Sequence, residues 1–340
     1  MTNIKEVLKA YHVHPSEIIP ITKRVHKVQT HNYIFALKRS RMRLNNMEKW
    51  RRAYQIGSEN NLSSILPVYM TEQNQLFKQY EQDIYYLTPW KDSVSTDEPK
   101  HEMESFYHTL GQIHKQTKSE KQISSSMVEQ MINQAKSDLS KQRQTLLGYI
   151  EKFEQKHFMS PFELRVCMQY RDLDQVFYYL DKWYDYYLED ISDDNRVYIS
   201  LCHGNLRSSH MIYQHGHTFL INWEKNNFAN PINDLARFYY NEFKYHDCSI
   251  NYMTSAFPIY EKYNPLMQSE RSLLAIYLLT PVPYIQLIER YYRNELALAQ
   301  PFQVKKLEQS YRRLINGLNL QGYFYQMREQ LKEKELESDD

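Results

Sequence analysis

Apolar and polar positions along this chain change their period twice. Residues 1–17 place Ile4, Val7, Leu8 and Tyr11 at helical spacing. From residue 18 the pattern turns extended: 18–25, 28–30 and 33–38 are short apolar runs, with His31-Asn32 as a turn. Residues 42–60 have helical composition. Three further strands are predicted at 66–69, 75–79 and 84–88, and Pro89 closes this β-rich part. Downstream the period is helical. Residues 103–118 set Met103, Phe106, Tyr107, Leu110, Ile113 and His114 on one face, so His114 reads as packed rather than as a ligand. Helices are predicted at 128–158, from Pro161 to residue 190, from Pro231, and at 250–263, 269–293 and 303–332. Pro258, Pro265, Pro281 and Pro283 act as boundaries or kinks. The last residues, KEKELESDD, are nearly all charged and predict a frayed tail.

One stretch, residues 199–227, interrupts the helical part. An apolar run turns at His203-Gly204, Asn205 and His210 follow five residues apart, and Met211-Ile212 leads to a turn at His215-Gly216. A second apolar run, 217–221, ends on Asn222-Trp223-Glu224. This is strand, loop, hairpin, strand, with polar side chains at both strand ends. Earlier, Lys38 closes the run 33–38, where a strand can deliver it into a cleft. Glu48 either pairs with Lys38 or remains an exposed helix carboxylate beside Lys49 and Arg51; both readings stay open. His215 and His217 flank a turn without a third ligand, and read as a solvated hairpin tip.

Composition narrows the classes. The 340 residues fit two lobes. With 42 basic against 41 acidic residues, nothing demands nucleic acid or an anionic membrane as partner. Three cysteines without a CxxC pair point to a reducing compartment and no structural zinc site. There is no apolar core of signal-peptide length and no uninterrupted apolar run of membrane-span length, so the chain is expected on the cytosolic side. Tyrosine is abundant, at 30, and reads mainly as half-buried rings with wet hydroxyls. Glycine is scarce, at 7, and none lies between residues 18 and 38. A backbone cradle for phosphate needs residues without a Cβ, so Lys23, Arg24 and Lys27 supply charge there but no cradle.

The β-rich segment with Lys38, TLGQIHKQ at 109–116, HGNLRSSH, LINWE and PINDLAR together resemble the aminoglycoside/choline phosphotransferase branch of the kinase-like fold. Within it the chain is most similar to the CotS group of spore-coat proteins, its YutH-type coat-associated members in particular. The resemblance implies an α+β, bilobal protein-kinase-like fold. Residues 1–90 would form a small N-lobe of antiparallel sheet plus one helix. Residues 91–332 would form a large helical C-lobe carrying degenerate catalytic and metal loops, and 333–340 a disordered tail. It also implies synthesis in the mother-cell cytoplasm of an endospore former and assembly on the spore coat, with other coat proteins as partners. The small-molecule ligand stays open.

By the family's pattern, His203 is the loop histidine and Asn205 stands where an Asp accepts the hydroxyl proton. His210 stands where an Asn ligates the second magnesium, and Asn222 at the metal-binding Asp. Lys38, with Glu48 as its ion-pair partner, marks the nucleotide site, and Asp234 is the structural Asp capping the next helix. An amide is no general base, a loss of roughly 10²–10⁴-fold. Magnesium prefers carboxylate oxygen to a neutral amide or an imidazole nitrogen. Glu224 alone keeps a carboxylate, on the same face as Asn222 if the strand persists. It reads either as a ligand for a single metal or as a salt-bridge partner of Lys225 or Arg207. The expectation is a pseudokinase without cofactor that serves the coat as a structural or assembly component. The alternative is an active small-molecule phosphotransferase, of aminoglycoside, choline or homoserine kinase type, using ATP, magnesium and Glu224. A third reading is a nucleotide- or sugar-binding sensor that needs Lys38 but no magnesium.

Overall fold

A computed structural model describes residues 2–43, 46–93 and 99–338. In chain order the elements of its first part are α1 (Thr2–Lys9), β1 (Glu17–Thr22), β2 (Val25–Gln29), β3 (Ile34–Ser40), α2 (Met47–Glu59), β4 (Lys78–Tyr80), β5 (Asp83–Pro89) and α3 (Pro99–Gln116). They are followed by β6 (Ser119–Gln122), α4 (Ser125–Glu154), α5 (Pro161–Asp194), β7 (Arg196–Cys202), β8 (Met211–Gln214), β9 (His217–Leu220) and β10 (Asn227–Ala229). The chain closes with α6 (Ile232–Glu242), α7 (Ile250–Tyr263), α8 (Gln268–Leu279), α9 (Val282–Tyr292) and α10 (Gln300–Ser338). Two compact units result, one from residues 1–118 with 200–228, the other from 119–199 with 229–340. The expected division at residue 90 is thus drawn elsewhere: α3 and the β8–β9 hairpin group with the sheet.

The first unit is built on a five-stranded antiparallel sheet in the order β1-β2-β3-β5-β4, with β3 at its centre. The two-residue alternation sends Val28, Phe35, Leu37, Tyr85 and Leu87 to one face, where Val7, Leu8 and Tyr11 around α1 cover them. Tyr11 donates its hydroxyl to the Tyr85 carbonyl at 3.0 Å. On the other face, Met47 and Trp50 of α2 pack on Ile84 and Tyr86. Pro20 sits in the edge strand β1, where a missing N–H is tolerated. Residues 66–69, expected as a strand, form none. Pro67 interrupts any ladder there, and Tyr69 makes a single backbone bond to the Leu87 carbonyl. The strand expected at 75–79 is the three-residue β4. Helix α3 anchors the hairpin: Ser105 donates to the Gly216 carbonyl and Thr109 to the Thr218 carbonyl, at 3.0 and 3.3 Å.

In the second unit α5 is the central helix. It starts with Pro161 at its first turn and a reciprocal Ser160/Glu163 capping box, and packs against α4, α8 and α10. Its polar links from Trp183 and Asp190 to neighbouring helices are buried. Trp183 donates to Gln321 at 2.7 Å, and Arg328 donates to both carboxylate oxygens of Asp190 at 2.6 and 2.8 Å. Ser272 of α8 adds a 2.6 Å bond to the same carboxylate.

The helix expected at 269–293 is two helices, α8 and α9. Thr280 is extended, as a residue preceding proline prefers, and Pro281 starts the next helix. Gln268–Tyr292 is, by length and composition, apolar enough to cross a membrane, though Glu270, Arg271, Glu289 and Arg290 keep it from being an uninterrupted apolar run. Over half of its apolar window is buried in the protein, as in a pair of core helices. The tail expected to be disordered from residue 333 continues α10 to Ser338; residues 339–340 lie outside the described residues. So do residues 94–98 of the polar stretch expected at 91–100.

Two glycines of this unit should respond oppositely to alanine. A Cβ on Gly317 would lie 2.6 Å from the backbone carbonyl oxygen of Leu278, whereas one on Gly148 meets nothing within 4 Å. Gly317→Ala is expected to cost about 1–3 kcal/mol by forcing α10 from α8. Gly148→Ala, in mid-helix, should stabilise by roughly 0.5–1 kcal/mol. Urea denaturation midpoints of the two variants check both signs.

Candidate functional site

Within the first unit the sheet face opposite α1 borders a cavity of about 640 Å³, lined among others by Ala36, Lys38, Tyr86 and Thr88. Antiparallel register pairs Lys38 with Tyr86 and Ala36 with Thr88, so these four side chains share one face. The segments 205–212 and 221–225 supply the other walls.

Lys38 is 7% exposed on the central strand. Its Nζ donates to Asn222 Oδ1 at 3.0 Å and lies 5.8 Å from the Tyr86 ring centroid. Burial lowers its pKa to about 8, against a smaller raising effect of Glu224. The ion pair with Glu48 does not form. Helix α2 turns Met47, Trp50 and Ala53 inward, which leaves Glu48 exposed on the outer face, away from the cavity. In its place α2 presents Trp50, whose ring lies 5.1 Å from that of Tyr86.

His203 is fully buried beneath the loop. Its Nδ1 accepts the Asn205 backbone N–H at 3.2 Å, which puts the proton on Nε2, 2.8 Å from the Ile221 carbonyl. It is therefore a loop-shaping residue. Gly204 is required beside it: at φ +74, a Cβ would lie 2.1 Å from the Lys225 carbonyl oxygen. Asn205 lines the cavity, and its Oδ1 accepts from Arg207 Nη2 at 2.8 Å. His210 also lines it, with its ring 5.4 Å from that of His203. Burial first, then the nearby ring of His203 and the charges of Arg207 and Lys38, push its pKa down to about 3, against a backbone hydrogen bond to Asn205. The imidazole is thus neutral at ordinary pH.

The strand does not persist to Glu224. β9 ends at Leu220, Asn222 is left-handed at φ 69, and Trp223–Lys225 form one 3-10 turn. Asparagine tolerates that conformation, and it takes Glu224 off the strand face. Glu224 Oε1 accepts the Tyr86 hydroxyl at 3.0 Å, and the expected salt bridge with Lys225 or Arg207 is not made. Burial and the Glu224 carboxylate push the Tyr86 hydroxyl well above its ordinary pKa, so it stays a donor. Asp234, the expected helix-capping carboxylate, lies buried in the first turn of α6 in the second unit. The amide oxygen of Asn230 accepts the Ile232 N–H that opens this helix.

The residues present do not fit magnesium. The Asn222 oxygen is taken by an ammonium, the Glu224 carboxylate by a phenol, and His210 offers nitrogen. Among the described residues no trio of His, Cys, Asp or Glu ligand atoms gathers at this cavity. The β1–β2 turn stands where a phosphate-binding loop would offer backbone donors. Its Arg24 and Val25 N–H groups are instead both taken by Thr22 Oγ1, at 3.1 Å each.

Three participants escape the sequence reading as site residues: Tyr86, Arg207 and Thr22. Tyr86 is reachable from the register, since a strand partner of Lys38 must share its face. Nothing local marks the other two.

Chains in solved structures that this protein resembles include an aminoglycoside phosphotransferase from Alicyclobacillus acidocaldarius subsp. acidocaldarius DSM 446. Identity is 16%, the TM-score 0.71, and the match covers 96% of each chain. They also include spectinomycin phosphotransferase APH(9)-Ia in complex with ADP and spectinomycin, at 12% identity and TM-score 0.56, over 92% of this chain and 94% of that one. Amicoumacin kinase hAmiN, in complex with AMP-PNP, Ca2+ and Ami, matches at 13% identity and TM-score 0.55, over 92% of both chains. No protein-family profile and no curated protein matches the chain in sequence. At these identities the likeness shows the fold. The chain has an aminoglycoside phosphotransferase-like kinase fold of α+β class, with a small antiparallel-sheet N-lobe and a mostly helical C-terminal region.

The buried ammonium gives a pH test. Lys38 titrates near pH 8 when folded and near 10.5 when unfolded. Between those values the unfolded chain holds the proton and the folded one does not, so stability rises with pH across that window and is flat below it. Lys38→Met should be the more stable protein at pH 7, by about 3 kcal/mol, and lose this advantage by pH 10.5. Parallel pH profiles of the two proteins in urea denaturation would contradict it.

Proposed function

We propose that this chain is a kinase-fold protein without phosphotransferase activity, a pseudokinase, acting as a structural or assembly component of the bacterial spore coat. The observation that carries the first half is the Lys38–Asn222 bond. The lysine placed for phosphate is held by a neutral amide whose oxygen is thereby withdrawn from any metal. The arrangement around it agrees. Asn205 at the base position is weakly basic and already accepts from Arg207. Among the described residues the only carboxylate on the cavity wall, Glu224, is bonded to Tyr86. The coat assignment rests on the resemblance of HGNLRSSH, LINWE and PINDLAR to the CotS group. It carries with it synthesis in the mother cell, other coat proteins as partners, and no resident cofactor.

One observation favours a second reading. Glu224 still faces the cavity, and the solved structures named above include kinases of small molecules. An active phosphotransferase would then use ATP and magnesium, with Glu224 released from Tyr86 to hold the metal.

Phosphate transfer decides between them. With labelled ATP, magnesium and a panel of aminoglycosides and amino alcohols, the purified chain is expected to transfer nothing above a protein-free control. Turnover at enzymatic rates that Glu224→Gln abolishes would replace the pseudokinase by the enzyme.

For the coat, a tagged copy expressed in an endospore former is expected in the alkali- or detergent-extractable coat fraction of mature spores. Recovery only from the cytoplasm of growing cells would remove that half of the proposal.

A further inference from the structure

The cavity that does not fit magnesium is nonetheless strongly positive. Among the described residues, five cations without a carboxylate partner in hydrogen-bond range line it: Arg24, Lys38, Lys91, Arg207 and Lys225. A sixth, Arg39, is neutralised by Asp83 at 2.7 Å. Glu224 is the single carboxylate among the described residues of the wall. The charges come from separate elements: Arg24 from the β1–β2 turn, Lys38 from β3, Lys91 from beyond β5, and Arg207 and Lys225 from the two loops. Arg207 uses Nη2 on Asn205, but its Nε–H is buried with no hydrogen-bond partner. Such an orphaned charged donor is costly unless something in the cavity accepts from it. His210, being neutral, adds no charge.

A kinase-type site uses carboxylates to hold metal ions, which in turn neutralise the phosphates. Here the carboxylates are amides or engaged, and fixed side-chain cations surround the same space. We infer that this cavity binds a polyphosphate anion, inorganic or as the triphosphate of a nucleotide, without a divalent cation, the cationic wall neutralising the phosphates directly. A cavity of about 640 Å³ has room for either. Because the turn's N–H groups are engaged by Thr22, recognition falls to side chains, as charge-assisted bonds from arginine and lysine. The inference rests on the pseudokinase reading and names the ligand class of its cavity.

The test is thermal unfolding and calorimetric titration of the full chain with sodium tripolyphosphate and with ATP, each in EDTA and in excess magnesium. Both anions are expected to raise the unfolding midpoint in EDTA. Magnesium should weaken both, since it neutralises the ligand in advance, and so should raised salt. Arg207→Gln and Arg24→Gln are each expected to weaken tripolyphosphate roughly tenfold, and the exposed Lys305→Gln not at all. Arg24 is an exposed turn residue, so that variant keeps the test valid if Arg207→Gln fails to fold. Binding of either anion only when magnesium is present overturns the inference. So does ATP binding without tripolyphosphate binding, which would place recognition in the base and sugar. No binding at all also sinks it, while leaving the pseudokinase reading untouched; that reading falls only on phosphate transfer.

Discussion

An ammonium group buried to 7% exposure must be compensated, and in this chain the compensation is an amide. Lys38 on the central strand bonds Asn222, 184 positions on, and much of the first unit can be understood as serving that contact. The hairpin β8–β9 brings Asn222 to the sheet, α3 fixes the hairpin through Ser105 and Thr109, and a left-handed residue at 222 turns its side chain toward the strand. A neutral partner lowers the cost of burying a charge only in part. The lysine accordingly loses its proton far more readily than a free one. A carboxylate at 222 would reverse that, which is why the amide, more than any other single residue, sets the character of the cavity.

Much of the fold is legible in the sequence because period and punctuation are strong signals: His31-Asn32 does turn β2 into β3, and α7 spans the predicted 250–263. The failures share a cause, which is that local pattern carries no information about distant partners. Residues 66–69 look like a strand but find no ladder beside them. Glu48 has the right place in sequence for an ion pair, yet the core claims Met47, Trp50 and Ala53 of α2 and rotates it outward. Glu224 reads as part of a strand, but that strand stops at Leu220, because a left-handed asparagine at 222 is invisible to periodicity.

At the candidate site the substitutions themselves are readable, since amides at 205 and 222 can be judged by their chemistry alone. What replaces the lost interactions is not. Arg207 holding Asn205 and Thr22 closing the β1–β2 turn are contacts of residues that nothing local singles out, and Tyr86 holding Glu224 is reached only through its register with Lys38. With Lys38 on Asn222, Arg207 on Asn205 and Tyr86 on Glu224, each of these three positions has a protein partner.

The buried Arg328–Asp190 pair has a consequence for how much of the C-terminus the protein can lose. Arg328 lies near the end of the longest helix, and its guanidinium is the counter-charge of a carboxylate on α5 that also holds α8 through Ser272. Proteolytic trimming back to about residue 332 would leave that pair intact. A cut that takes Arg328 as well would strand Asp190 as an uncompensated charge in the middle of the helical unit, a loss of roughly 3–5 kcal/mol. The boundary between a clipped but folded protein and one fated for degradation is therefore only a few residues wide.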